Sequence, residues 1–262
     1  MTRQNFYKGK RARKGREIDE DLVVELVRRE RRQHPRIGGR KLHFLLKSEL
    51  SSSGISLGRD RLFEILRRHD LLVPPLPRAA RTTDSRHCLP VFRNLVAQRE
   101  ATGPNQIWVS DITYVRTEEG FVYLALITDR YSRKVVGYHC GENLESSGCI
   151  EALNQATGQL PVDRYPIHHS DRGCQYCCHQ YVAKLRQRDI SISMTEANHC
   201  YENAHAERVN GILKQEYGLA RTFRNPEQAR KAAAEAVRLY NNHRPHTSLQ
   251  YRTPQQVHLE AA

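Results

Sequence analysis

Between Gln106 and Cys140 the chain runs through "QIWVSDITYV", "GFVYLALITD" and "RKVVGYHC", three segments dense in β-branched and aromatic residues. The turn-like "RTEEG" and a second short turn divide them, so three strands in a meander are the economical reading. Helix and strand patterns then alternate: a helix around Ser147 to Thr157, a short strand "YPIHHSD", a helix from Gln175 to about Gln187, a strand "ISISM" and a helix from about Asn203 to Tyr217. Three antiparallel strands followed by alternating helices and strands predict an α/β domain on a mixed sheet, placed at residues 105–220.

The flanks read differently. Residues 1–16 form a basic arm. Residues 17–73 carry three helical patterns: Leu22, Val23, Leu26 and Val27; then Leu42, Leu45, Leu46 and Leu50; then Leu62, Ile65 and Leu66, with Ser56 as the expected cap of the third. Arg59, Arg61, Arg67 and Arg68 surround that third helix, which suits a helix-turn-helix DNA-binding module and equally a small bundle with exposed arginines. Residues 74–104, with several prolines, read as a linker. The stretch 221–262 reads as a helical extension: Asn225, Pro226 and Gln228 spell a capping-box start, and "TPQQV" repeats the signal.

Charge separates the two halves. Residues 1–86 hold 22 Lys/Arg against 11 Asp/Glu, whereas residues 87–262 hold 20 against 18. A basic excess confined to one end suits phosphate backbones, whose counterions Lys and Arg displace. No apolar run approaches the roughly 18 to 20 residues of a membrane span. With no secretory leader apparent, a cytoplasmic protein is expected. Six of the seven cysteines crowd between Cys140 and Cys200, after the early Cys88, and in such a compartment they are expected as thiols.

Three acids stand where a sheet-based site would want them. Asp111 lies in the first strand, Asp171 ends the fourth, and Glu207 sits early in the helix near Asn203. Carboxylate oxygens suit hard cations such as Mg²⁺ and Mn²⁺. Two such ions about 3.5 to 4 Å apart can activate an attacking oxygen and stabilise a leaving one in displacement at phosphorus. Each acid also has an ordinary reading as a surface charge, a turn residue or a helix-end charge. Asp129 likewise ends a strand, but "DRYSR" looks like a turn that pairs locally.

Asp171 and Glu207 have 35 residues between them, and Lys214 follows Glu207 by two helical turns. Together with "WVSDITYV", "HSDRGCQY", "ENAHAERVNGILKQE" and "YNNHRPHTSL", this spacing resembles the DDE transposases of the insertion sequence 3 family, second-reading-frame product. The resemblance implies an RNase H-like core shared with retroviral integrases, divalent-metal-dependent DNA cleavage and strand transfer at element ends, and two Mg²⁺ or Mn²⁺ ions on Asp111, Asp171 and Glu207. It implies DNA contact for Lys214, with Arg208 and Asn203 flanking the catalytic Glu; Asn203 is read as the helix cap. The implied partners are transposon-end and target DNA, further copies of the chain assembled on DNA, and an upstream-frame product supplying more DNA-binding and dimerisation elements.

Two rival readings remain at this level. One is a non-enzymatic DNA-binding regulator with a structural zinc, for which "HHSDRGCQYCCH" offers Cys174, Cys177, Cys178 and neighbouring histidines. The other is a nuclease on the same fold. The zinc reading meets a geometric objection, because Cys177 to His179 on one helix point about 100° apart. His169 is expected to be structural as readily as catalytic, and Trp108 to pack in the core.

Overall fold

The structure, a computed structural model, describes residues 20–74, 89–196 and 203–261. The basic arm, residues 75–88 of the 74–104 segment with Cys88 among them, and His199 and Cys200 lie outside them. Contacts divide the chain into two units, one ending at Pro77 and one beginning at Arg78. Among the described residues no helix is long and apolar enough to cross a membrane.

The first unit has three helices, α1 (20–33), α2 (Gly39–Ser52) and α3 (Arg59–Arg68). Their apolar stripes meet in one core of Val23, Val27, Leu42, Leu46, Leu62, Ile65 and Leu66. At position 39 a Cβ would lie 2.7 Å from the tip of the Phe63 ring and push it aside, so glycine there lets α2 and α3 approach as they do. Ser56 is not the cap expected of it, because α3 starts behind Gly58 with no side-chain cap bond.

The second unit is built on a five-stranded sheet of β1 (Ile107–Thr117), β2 (Gly120–Asp129), β3 (Val135–Gly141), β4 (Ile167–Ser170) and β5 (Ser191–Met194). Strand order is β3-β2-β1-β4-β5. The meander pairs antiparallel, while β4 joins β1, and β5 joins β4, in parallel. Helix α4 (Ser146–Gly158) crosses between β3 and β4 and lies close on the sheet. A Cβ on Gly137 would stand 2.1 Å from the Ala152 carbonyl oxygen, a contact only glycine permits.

Alternation along the strands sorts the core into two faces. Trp108, Ala125 and Ile127 point to the side covered by α4, α5 (Cys174–Cys177) and α6 (His179–Arg186). Val115, Val122, Leu124 and Leu126 point to the side covered by α7 (Ala204–Glu216) and α8 (Pro226–Asn242). The single helix expected from Gln175 to Gln187 is broken at Cys178, whose extended backbone (φ −67°, ψ 147°) ends α5 while its sulfur accepts the Tyr181 N–H and starts α6.

Several boundaries differ from the sequence expectations. Residues from Leu89 onward are docked: Leu89 and Phe92 rest on one core face, Val96 is buried with Ile107 and Val109, and the Leu95 N–H donates to Ser193 Oγ at 2.9 Å. The segment after residue 220 is part of the core, because Ala229, Ala233 and Ala236 give α8 a flat face against the sheet and α7. Asn225 caps α8 as expected, but Gln228 accepts from the Arg224 N–H, so the reciprocal half of a capping box is not made. Thr253 and Gln256 do form one at the start of α9 (Pro254–Glu260).

The outer edge of β3 is covered by side-chain amides. Asn241 accepts from the Val135 N–H and donates to its carbonyl, both at 2.9 Å, while Gln155 and Gln159 bond the Tyr138 N–H and the Val136 carbonyl. An edge strand whose backbone groups are taken is a poor template for other strands.

Candidate active site

Asp111 and Asp171 are brought together by strand register. Trp108 pairs with His168 and Val109 with His169 in the parallel β1–β4 ladder. Two further steps along both strands set Asp111 level with Asp171 just past the end of β4, on the face that carries α7. The Asp171 carboxylate turns back to accept the Gly173 N–H at 3.0 Å, and Arg172 is pinned by its Nε to the Thr195 carbonyl at 2.7 Å.

Helix α7 docks on β1 through two buried asparagines spaced two turns apart. Asn203 donates to the Ser110 carbonyl at 2.9 Å, and Asn210 donates to Asp111 Oδ2 at 2.7 Å. Asn203 occupies the N-cap position of α7 but makes no cap bond, since its amide is used on β1. The sequence reading missed Asn210. Its signal was a polar residue in the apolar stripe of Ala206, Val209 and Leu213, seven positions after Asn203.

Burial and the neighbouring Asp171 charge push the Asp111 carboxyl up to about 7, against the bonds from Ile112 N–H and Asn210, with Glu207 adding a smaller push. The three acids therefore share one electrostatic neighbourhood. Glu207 is exposed in the first turn of α7 and Arg208 is exposed beside it. Lys214, half-buried on the same helix, is lowered by burial and raised by the charge of Asp111. Among the described residues, no three His, Cys, Asp or Glu side chains stand close enough to grip one ion as they are placed.

The other polar residues of the region are structural. His168 is fully buried, with Ser110 Oγ and Tyr181 OH at 2.7 and 2.8 Å from its Nε2. Burial and the neighbouring His169 hold it down at about 3, a neutral imidazole. His169 bonds Ser193 through Nδ1 at 2.9 Å, which ties β4 to β5. Trp108 is wholly buried, its Nε1 donating to Asn105. Asp129 is buried too and accepts from Asn105 N–H, Ser132 N–H and Ser132 Oγ, each at 2.7 Å, so it locks the β2–β3 turn.

The three thiols of "CQYCC" go to separate places. Cys174 is exposed, Cys177 packs against Met194 in the core, and Cys178 starts α6. In the first unit, Arg61 and Arg68 share Glu20, Arg61 also bonds Glu64, and Arg59 pairs with Asp60. Arg67 is exposed and has no ion pair with a described residue.

The sheet order and the helices on its two faces make an RNase H-like fold, and its family matches give it the class of a polynucleotidyl transferase. Residues 101–200 and 188–254 match two families, each described as an integrase core domain. The insertion element IS600 uncharacterized 31 kDa protein of Shigella sonnei is 37% identical over 236 residues, covering 89% of this chain and 85% of that one. Transposase InsF for insertion sequence IS3A of Escherichia coli K12 is 34% identical over 204 residues, 77% of this chain and 71% of that one. In structure, the chain is similar to a protein of the simian T-cell lymphotropic virus intasome, solved in complex with PP2A regulatory subunit B56 gamma (TM-score 0.52, 20% identity, 84% of this chain and 74% of that one). The chain belongs to the IS3-family DDE transposases. It is a DNA transposase, and neither the zinc-regulator reading nor the plain-nuclease reading is favoured.

Proposed function

We propose that Asp111, Asp171 and Glu207 are the catalytic carboxylates and that they hold two Mg²⁺ or Mn²⁺ ions during DNA cleavage and strand transfer. The observation that carries this is the raised Asp111 carboxyl, which feels both other acids. Such mutual repulsion is relieved by a cation, and the donors are the hard oxygens these ions prefer. Asp111 and Asp171 are level across two strands, and Glu207 completes the set by turning inward from the start of α7. Bound there, the ions supply Lewis-acid activation of the attacking oxygen and stabilise the leaving one.

The chain's own groups orient the reaction. Asn210 holds Oδ2 of Asp111, fixing its rotamer and favouring the ionised form, so it is a positioning residue. Lys214, in the field of Asp111, offsets phosphate charge near the cleaved bond, and exposed Arg208 extends that cationic flank. In the first step water adds to a phosphodiester at the element end and its P–O3′ bond breaks, leaving a 3′-hydroxyl. That hydroxyl then attacks a target phosphodiester, forming a new P–O3′ bond and expelling the target's own 3′-oxygen.

The helical first unit supplies DNA affinity through α3 with Arg59, Arg61, Arg67 and Arg68, of which Arg59 pairs with exposed Asp60 while Arg61 and Arg68 share the mostly buried Glu20. Copies of the chain assemble on transposon ends and target DNA in the cytoplasm, together with an upstream-frame product. The test uses duplexes taken from the DNA flanking the gene, incubated with the protein and Mg²⁺. Joined products that vanish with Asp171→Asn support the reading, and joining that persists in that variant overturns it.

A further inference from the structure

We propose that a cationic pocket formed by Arg130, Arg133, His205 and Arg252 is a second DNA-phosphate subsite, seating a backbone phosphodiester outside the carboxylate centre. The inference rests on the DNA-processing reading above and adds a second hold on the same polymer. The cavity is about 380 Å³ and draws its walls from four distant segments: Glu100 and Ala101 before β1, the β2–β3 turn, the start of α7 and the stretch from Ser248 into α9. Buried Leu249 and Val257 line it from the core side.

The pocket is built in advance of any ligand. Asp129 pins the β2–β3 turn through Ser132, and the Arg133 N–H returns to the Asp129 carbonyl at 2.9 Å. That brace keeps Arg133 at φ 65°, a left-handed conformation a non-glycine residue adopts only when its surroundings insist. Arg133 in turn donates to Nδ1 of His205. On the facing wall Gln250 and Tyr251 are also left-handed, at φ 55° and 64°, in a loop closed by the Tyr251 N–H on the His246 carbonyl at 2.7 Å.

The chemistry points to phosphate. Three arginines line one cavity whose lining has a single carboxylate, Glu100, and planar forks match phosphate oxygens in pairs; Arg130 spends one N–H on the Val96 carbonyl at 3.4 Å. Arg252 also pairs with Glu260 at 2.5 Å, but both side chains are exposed, so a phosphate competes for it at small cost. His205, accepting from Arg133, is a neutral wall of the pocket, and exposed Arg208 one turn further along α7 carries positive charge toward Glu207.

The experiment measures binding of a random-sequence DNA duplex by the full chain in EDTA, which removes chemistry from the readout. An Arg130→Gln, Arg252→Gln double variant should lower the slope of log affinity against log salt by roughly 1 to 2, at about 0.9 per phosphate released. Arg252→Gln alone, on an exposed side chain, should lower it by up to about 0.9 without disturbing the turn, and thermal melting checks both folds. An Arg186→Gln, Arg188→Gln pair on and just after α6, beneath the opposite sheet face, should change the slope less. Inorganic phosphate should compete only at concentrations where salt alone does. Slopes unchanged in both pocket variants, an equal loss in the α6 pair, or phosphate competing as a specific ligand would each overturn the subsite. Failure of the parent chain to bind duplex at all would instead overturn the DNA reading beneath it.

Discussion

The side chain of Asn210, on α7, reaches across to β1 and donates its amide to Oδ2 of Asp111 at 2.7 Å. A donor on a carboxylate stabilises the charged form, and here it acts against the burial and the Asp171 charge that hold the acid up at about 7. Asn210→Ala is therefore expected to raise the Asp111 carboxyl further, by roughly half to one pH unit. Mn²⁺ affinity followed against pH should show its acid limb displaced upward, with recovery at higher pH. A limb that stays in place would reduce Asn210 to a packing residue.

Removing the Asp111 charge should stabilise the metal-free protein while destroying its activity. The folded carboxyl keeps a proton that the unfolded chain releases between about pH 4 and about 7, so stability from this group falls as pH rises through that window. Above it the penalty is complete. Asp111→Asn should gain about 1 to 2 kcal/mol at pH 8 without divalent ions, and close to nothing at pH 4. Thermal melts of both proteins at the two pH values, with and without Mg²⁺, check the sign. A destabilised variant at pH 8 would contradict it.

Asp171→Asn and Glu207→Gln should each reduce strand transfer by about 1,000-fold or more, a loss of roughly 4 kcal/mol in transition-state stabilisation, while duplex affinity stays within a few fold. Asp129→Asn should behave in the opposite way. It weakens three buried hydrogen bonds and costs about 1 to 3 kcal/mol of stability, with joining retained at low temperature. Comparable loss of chemistry in all three would mean that the site is wrongly drawn.

Asn241 offers a test away from the chemistry. Asn241→Ala strips two hydrogen bonds from Val135 on the edge of β3, with an expected cost of about 1 to 3 kcal/mol. Freed edge groups also invite pairing between molecules, so light scattering on mild heating should rise earlier in the variant. Equal scattering and equal melting would show that the amide pair is dispensable.

Much of the second unit was legible in the chain because its signals are local. Alternation in "VYLALITD" and the turn residues after it mark strands on their own, and the spacing of Asp111, Asp171 and Glu207 supplied the candidate acids. Most of what stayed hidden depends on partners distant in sequence. The break at Cys178 is local: its extended backbone ends α5 and its sulfur accepts the Tyr181 N–H, a cap that a cysteine seldom supplies. Asn203 looks like a cap until Ser110 is opposite it. The alanines of α8 read as a separate extension, and only contact with the sheet shows them closing its core. The arginine pocket draws on segments more than a hundred residues apart, which no local pattern reports.

The parallel ladder between β1 and β4 also governs which changes of length the chain can absorb. Asp111 and Asp171 stay abreast for as long as Trp108 lies beside His168, whatever the chain does between the two strands. Extra residues in the surface loop around Val162, 96% exposed, should leave the two carboxylates where they are. One residue added inside "IHHSD" would reverse the facing of everything after it, turning Asp171 toward the buried tyrosines and away from Asp111. Drift in loop length is harmless here; drift of a single position within the strand silences the element.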